Sequence, residues 1–544
     1  MLDSNFKSDI LSFVVPISNR AKRNYFSANM RVLKNYFCSF IPQSFFLKHY
    51  YKKQSISKDL SSGVLVGIIA IPLSIAFAAS SGVPPVVGLI SAFLAGIVAA
   101  AFSGCRYQIT GPTGACILIL NQTLKDVGFG GMLISTFLAG ILVLVMGLLK
   151  FGKYSKYIAS PVVIGFSAGL ALTIFTSQVP DFLALNLIDL PTNALGKWMI
   201  YIQNFGAINI TSILLGSFSV VSLIVWKKLK IKFPGPMVII IICSIIAAAL
   251  KLDIPTIGTK YGNLTMDINF QLSFNNFEFS KIIQPTIYIA VLIAIVSLLS
   301  AMTADNMSGK KTNMDAELVS QGLANIVNAC LGGMPVMGAV ARTGANIKAG
   351  AVSPISSIVH SLIILLTGLF LMPLASYIPL TVLAAVLFVV CINMFDIKMV
   401  KKVFKYSLKD TGIFYVSLLL TFLVNIIVAI SAGIVLSFVF LLIQNVIKKS
   451  KHIESGLNIK TIGQTIYFFG SLNFVTAQKI SKVVLPKCST LNLDLQGITD
   501  FDMSGSEMLN SWLNSIKSNF NNIHTYLKHN FIKQALVSKV DTVA

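Results

Sequence analysis

Charge is what this sequence has least of. Of 544 residues only 12% are Asp, Glu, Lys or Arg, and the acids are scarcest, 20 against 43 Lys and Arg. An ordinary soluble chain carries roughly twice that charged share. The remainder is 55% hydrophobic with a mean hydropathy of +0.78, which implies a polytopic membrane protein. The five histidines are scattered, so no cluster of His, Asp and Glu exists to build a membrane-surface enzyme. The seven cysteines (38, 105, 116, 243, 330, 391, 488) form no CxxC pair and lie mostly in or beside apolar runs. They read as small hydrophobes, not disulfides or metal ligands, and neither a metal nor a cofactor is expected. Residues 1–57 lack an apolar core long enough for a cleavable signal. The net charge of +23 marks cytoplasmic loops, not nucleic-acid binding.

What is present is a succession of apolar runs. A span needs ~20 residues. Helices are expected near 60–79, 83–103, 130–149, 157–177, 208–227, 236–251, 282–303, 315–331, 352–373, 379–395, 409–427 and 428–447. Two shorter pieces, 112–123 and 336–349, are half-helices, for fourteen segments in all. Even-numbered connections hold most of the Lys and Arg, including Lys150, Lys153, Lys227, Lys228, Lys310, Lys401 and Lys402. The odd ones hold little beyond Lys125, Lys197, Lys251, Lys260 and Lys281. The positive-inside rule therefore places both termini in the cytoplasm. The domains expected are a basic, cytoplasmic, partly ordered region over 1–57, a transmembrane domain over 58–450 and a small cytoplasmic α/β domain over 451–544. In the last, Tyr467–Gly470 and Leu491–Leu495 read as buried strands and 504–518 as a helix.

The stretch Gly332–Gly350, GGMPVMGAVARTGANIKAG, is no ordinary span. Its glycines and Pro335 break the helix at membrane depth, which is tolerated only where backbone lines a cavity or is buried in protein. The helix that follows would present free N–H groups and a positive dipole end, an anion site. Gly111-Pro112 opens a similar half-helix in the first half of the chain. Each is the third span of a seven-span half, so the halves have opposite orientation and the two N-termini face each other.

Several fragments resemble the SulP family of anion transporters, bacterial relatives of the SLC26 proteins. They are Asp59-Leu60 with Gly63, Ile71-Pro72, Ser81-Gly82-Val83-Pro84-Pro85, Gly111-Pro112-Thr113-Gly114-Ala115, Asp305-Asn306-Met307, Glu317-Leu318, Gln321-Gly322, Asn325 and Gly332-Gly333 through Ala341-Arg342-Thr343. Asp502-Met503-Ser504-Gly505 is similar to the signature loop of a STAS domain. The resemblance implies a 7+7 inverted repeat of core and gate domains in the cytoplasmic (inner) membrane. It further implies a homodimer, an elevator-like motion and a small anionic substrate such as sulfate, bicarbonate, chloride, nitrate or a dicarboxylate. The implied substrate residues are Phe77, Thr113, Gly114, Ala115, Gly338, Ala339, Val340, Ala341 and Arg342. Arg342 is expected either to attract the anion at long range or to cap within the core.

Two departures stand out. Relatives place Gln after the Ile-Pro, where this chain has Leu73, and often a carboxylate before Ser-Leu-Leu, where it has Val296. Valine neither titrates nor ligates a cation, so cation-coupled symport is not expected. Ser300 and Thr303 remain as weak cation ligands at most. A nucleobase carrier of the same fold would need an acid that Val296 and Arg342 do not supply. A transport-deficient sensor working through the STAS domain is a further alternative. Asp305 is expected to pair with a nearby Lys or cap the next segment, Glu317 and Asn325 to stabilise helix contacts, and His360 to pack with a hydrogen bond. Ser504 is expected to be the N-cap of the following helix, with regulatory phosphorylation as a second reading.

Overall fold

Apolar runs fold into helices here because a lipid-facing backbone must satisfy its own hydrogen bonds. The computed structural model describes residues 53–157, 159–185, 187, 190–191, 194–229, 234–262, 279–395, 397–406, 408–423, 432–433, 435–437, 439–440, 457–483, 485–486, 490–516, 522–526 and 541–543. The helices of the first half are α1 (Lys53–Ser80), α2 (Pro85–Phe102), α3 (Ile117–Leu148), α4 (Ser160–Leu183), α5 (Ala194–Gln203), α6 (Ile210–Lys228), α7 (Gly235–Ala249) and α8 (Ile257–Tyr261). Then follow α9 (Phe279–Ser308), α10 (Met314–Cys330), α11 (Val340–Lys348), α12 (Ile355–Phe370), α13 (Leu380–Met394), α14 (Ile397–Tyr406) and α15 (Leu408–Leu423). Among the described residues seven helical stretches are long and apolar enough to cross a bilayer, and α7 and α12 are shorter apolar helices. The chain thus has a polytopic helical membrane fold. The expected final span, 428–447, lies mostly outside the described residues, as does nearly all of 1–57.

The expected pieces 112–123 and 130–149 form one element broken in the middle. At Gly128 the backbone turns to φ 69°, ψ −174°, a conformation only glycine adopts without strain. The half-helix therefore runs from Ile117 to this break, and a span follows it. The sequence reading lacked α5 and α14, which are short.

The helices sort into two groups by what they touch. In the first, α10 packs on α2 and α3, α12 on α1 and α2, and α9 on α3, α10 and α11. In the second, α4 packs on α13 and α15, and α6 on α7 and α13. Helix α1 joins the groups through α7 and α13.

The C-terminal region is a five-stranded sheet in the order β3-β4-β5-β6-β7. Its strands are β3 (Leu457–Ile462), β4 (Thr465–Leu472), β5 (Thr490–Phe501), β6 (Asn522–Tyr526) and β7 (Asp541–Val543). The β3–β4 pair is antiparallel and the others parallel. Helix α16 (Met503–Ile516) lays Leu509, Leu513 and Ile516 into the same apolar core as Phe468 and Leu493.

Ser504 is not the N-cap. Asp502 is: its Oδ1 accepts from Gly505 N at 2.6 Å. Ser504 lies in the first turn of α16 and its hydroxyl accepts from Ser160 N, the first amide of α4, at 2.9 Å. Met503 N in turn donates to Asp410 Oδ2 of α15 at 3.2 Å, and the Ser160 hydroxyl donates to Glu507 Oε2. Two helix N-termini, both positive dipole ends, thus meet with two carboxylates between them, the arrangement electrostatics favours. Burial raises the Glu507 carboxyl above its ordinary value, against the opposing effects of Ser160 and Lys402.

Candidate anion site

Two short strands, β1 (Thr110–Gly111) and β2 (Met337–Gly338), carry the chain into the two half-helices. They pair antiparallel, Thr110 with Gly338 and Gly111 with Met337, and Ala339 N extends the ladder to Ile109 O at 2.8 Å. This pairing satisfies backbone that lipid could not, and it fixes the two helix entrances side by side. Beyond β1 the chain makes a 3-10 turn, Gly114–Cys116, then α3. Beyond β2 comes α11, with Ala339 at its N-cap.

The expected site residues divide by what their amides already hold. Gly338 N donates to Ser297 Oγ at 3.0 Å and Ala339 N to Ile109, so neither offers a free donor. The first helical bond of α11 is Thr343 N to Ala339 O at 2.8 Å, leaving Val340, Ala341 and Arg342 ahead of the ladder. Likewise Gly114 and Ala115 precede the bond from Cys116 N to Thr113 O at 3.2 Å. The buried Thr113 hydroxyl lies against the Cys116 thiol at the same turn. Val340 is 39% exposed and Ala341 is exposed too, so this helix end is open.

Phe77 closes one side. A Cβ at Gly114 would lie 3.2 Å from Phe77 Cε1 and 2.4 Å from Ile174 Cδ1, so a larger residue there would have to displace both side chains. Arg342 is buried, and its Nη2 donates to the carbonyl of Pro112. Its Nη1 has no partner among the described residues and lies against Gly111. The side chain thus caps within the core, clasping the entrance of the opposite half-helix.

Val296 and Leu73 belong to one buried apolar cluster with Phe77, Ala115, Met334 and Met337. The Ser300 hydroxyl donates to Thr343 Oγ1 at 3.1 Å, which also accepts from Ile109 N. Thr303 donates to Leu299 O of its own helix at 2.8 Å. Both hydroxyl protons are committed within the protein.

The residues beneath the entrances were only partly foreseen. Glu317 is fully buried and accepts from Ser103 Oγ, Gly104 N, Cys105 N, Gln108 Nε2 and Gln321 Nε2, at 2.8–3.1 Å. Charge-assisted hydrogen bonds replace the missing counter-cation. Asn325 clasps the backbone of Val336 through both its side-chain atoms, at 2.8 and 2.9 Å. The helix-contact role expected of both residues is therefore met. Asp305 caps Thr312, accepting from its amide at 3.0 Å and its hydroxyl at 2.5 Å. His360 departs from expectation: it is wholly buried, yet neither ring nitrogen has a hydrogen-bond partner among the described residues.

Opposed half-helices joined by a strand pair in a polytopic bundle define a class of membrane transport proteins. Residues 56–417 match the model of the sulfate permease family, and the chain belongs to that family. It is 36% identical over 484 residues to the putative sulfate transporter YvdB of Bacillus subtilis, covering 86% of this chain and 90% of that one. It is 28% identical over 403 residues to the bicarbonate transporter BicA of Picosynechococcus, covering 70% and 69%. Among solved structures, the transmembrane domain of a cyanobacterial BicA aligns with TM-score 0.62 at 26% identity, covering 71% of this chain and 98% of that one. The overall structure of SLC26A9 aligns with TM-score 0.69 at 18% identity, over 96% and 93%, a likeness of fold.

Proposed function

We propose that this chain is a secondary transporter of small anions. The anion is held between the amides of Gly114 and Ala115 on one side and Val340, Ala341 and Arg342 on the other. The observation that carries this reading is the β1–β2 pair, which brings two helix N-termini and one buried guanidinium to a single point. Partial positive charges on amides hold an anion without the tight grip of a full ion pair, as a carrier that must release its cargo requires. Phe77 and the Thr113 hydroxyl complete the pocket. The names of the relatives make sulfate and bicarbonate the first substrates to try. The apolar surround of Leu73 and Val296 favours a weakly hydrated monovalent anion.

The finer reading is a fourteen-span 7+7 repeat. The first helix group acts as the moving core, the second as the gate, and the core carries the anion by an elevator motion. The sheet region is a STAS domain, cytoplasmic with both termini, and the protein is an inner-membrane homodimer. With Val296 at the coupling position, transport is exchange or uniport, not symport. The docked Ser504 keeps a second reading in play, in which the STAS domain senses or regulates anion traffic.

The experiment is uptake of labelled sulfate, bicarbonate, chloride and nitrate into proteoliposomes, with and without sodium or proton gradients. Saturable uptake of at least one anion, independent of both cation gradients, is expected. Uptake of none overturns transport, and strict gradient dependence overturns the argument from Val296.

A further inference from the structure

Lysines outside the membrane run against the positive-inside rule, and this chain has few of them. Four of the five expected there, Lys125, Lys197, Lys260 and Lys281, line one cavity of about 1160 Å³. The cavity lies at the end of the bundle away from the sheet domain. Helix α4 starts against Ser504 at Ser160 and ends in the cavity wall at Pro180, Asp181 and Ala184. Its lining reaches Ala79, Ile119 and Ser177, each within two turns of Phe77, Gly114 or Ile174, whose mutual contact lies below it.

The lysines are not equivalent. Lys260 is paired with Asp181 at 3.3 Å. Lys125, on the half-helix of α3, donates to Leu190 O at 3.0 Å, a neutral acceptor that leaves its charge uncompensated. Lys197 is half-buried on α5 and has neither a hydrogen bond nor an ion pair among the described residues. Asp126, Asp181 and Asp253 also line the cavity, but the charge acting on Lys197 is that of Lys125. Burial first, and Lys125 second, hold the Lys197 ammonium below its ordinary value. Helix α5 is pinned to α4 by Tyr201 OH on Thr176 O at 3.1 Å and Trp198 Nε1 on Thr176 Oγ1 at 3.2 Å, which fixes the backbone that carries Lys197.

We propose that Lys125 and Lys197 form an external anion-binding subsite for a small oxyanion, bridging the first helix group to the second at the mouth of the cavity. The two ammonium groups line the same cavity and repel, and an anion with several acceptor oxygens between them turns that repulsion into two charge-assisted contacts. The lining's excess of ammonium over carboxylate groups, four lysines against three aspartates, also raises the local anion concentration above the deeper site. The subsite goes beyond the transport reading and does not depend on turnover.

The test uses the full chain in proteoliposomes, treated from outside with a membrane-impermeant amine-reactive ester and read by mass spectrometry. Sulfate is expected to slow modification of Lys197 severalfold relative to a bulky sulfonate at equal ionic strength, and Lys125→Gln is expected to abolish that protection. Lys260→Gln, which breaks only the pair with Asp181, is expected to leave it intact. In parallel, Lys197→Gln is expected to raise the external half-saturating concentration roughly tenfold, with Lys197→Arg restoring it. Equal modification rates in sulfate and sulfonate overturn the subsite, whatever the transport result. Protection without uptake of any anion would instead leave the subsite standing and remove the proposed function.

Discussion

The two helix groups are held together by different forces. Beneath the half-helix entrances, the first group buries Glu317, Gln108, Gln321, Thr110 and Asn325 in a connected hydrogen-bond network, with Asn328 bonded beside it to the carbonyl of Met334. Around α4 and α13, the second packs through aromatic rings, with Phe388 centred 4.4 Å from Phe175 and 4.8 Å from Phe182. Directional bonds specify one geometry and resist deformation, whereas ring contacts tolerate sliding. The network lies at the half-helix entrances, whereas the Phe388 ring contacts lie between two helices of the second group, away from those entrances.

The largest expected effect that would break this contrast is at Glu317. Glu317→Ala strands five donors in a dry interior and should cost about 3–5 kcal/mol, read as loss of folded protein or a lower Tm in detergent. An unchanged Tm would mean the network is ornamental to the first group. Next is Arg342→Ala, which removes the buried charge between the helix ends and should raise the half-saturating anion concentration roughly tenfold or more. If affinity holds, the clasp on Pro112 is the residue's whole role. Ser504→Asp adds a negative charge beside Asp502, Glu507 and Asp410, so docking of α16 on α4 should weaken by about 1 kcal/mol. Faster amide exchange in the first turns of both helices would register it. Last is Phe388→Leu, expected to cost about 0.5–1 kcal/mol of stability, read as a slightly lower Tm, and to leave anion affinity alone. A large affinity loss there would erase the distinction between the groups.

Some of this was legible in the sequence for plain reasons. Gly111-Pro112 and Gly332 to Pro335 interrupt apolar runs, and a break at membrane depth has few physical meanings. Val296 and Leu73 were visible as apolar residues where polar ones are expected, and the structure seats them in one cluster. The strand pair was not legible, because two residues carry no periodicity. Nor were the partners of Glu317, since Ser103 and Gln108 lie more than 200 positions away along the chain. Ser504 misled because Ser before a helix usually caps it. Asp502 took that role and freed the hydroxyl for Ser160. The external lysines looked like stragglers from the charge rule, and only the fold gathers them into one cavity.

The central claim is that an anion sits between the two half-helix ends. Its most direct measurement is an experimental structure of the protein with selenate or bromide, read by anomalous scattering. The account predicts a peak bounded by the amides of Gly114, Ala115, Val340 and Ala341, with Arg342 behind it. Bound anion elsewhere in the transmembrane domain, with that position empty, would contradict it.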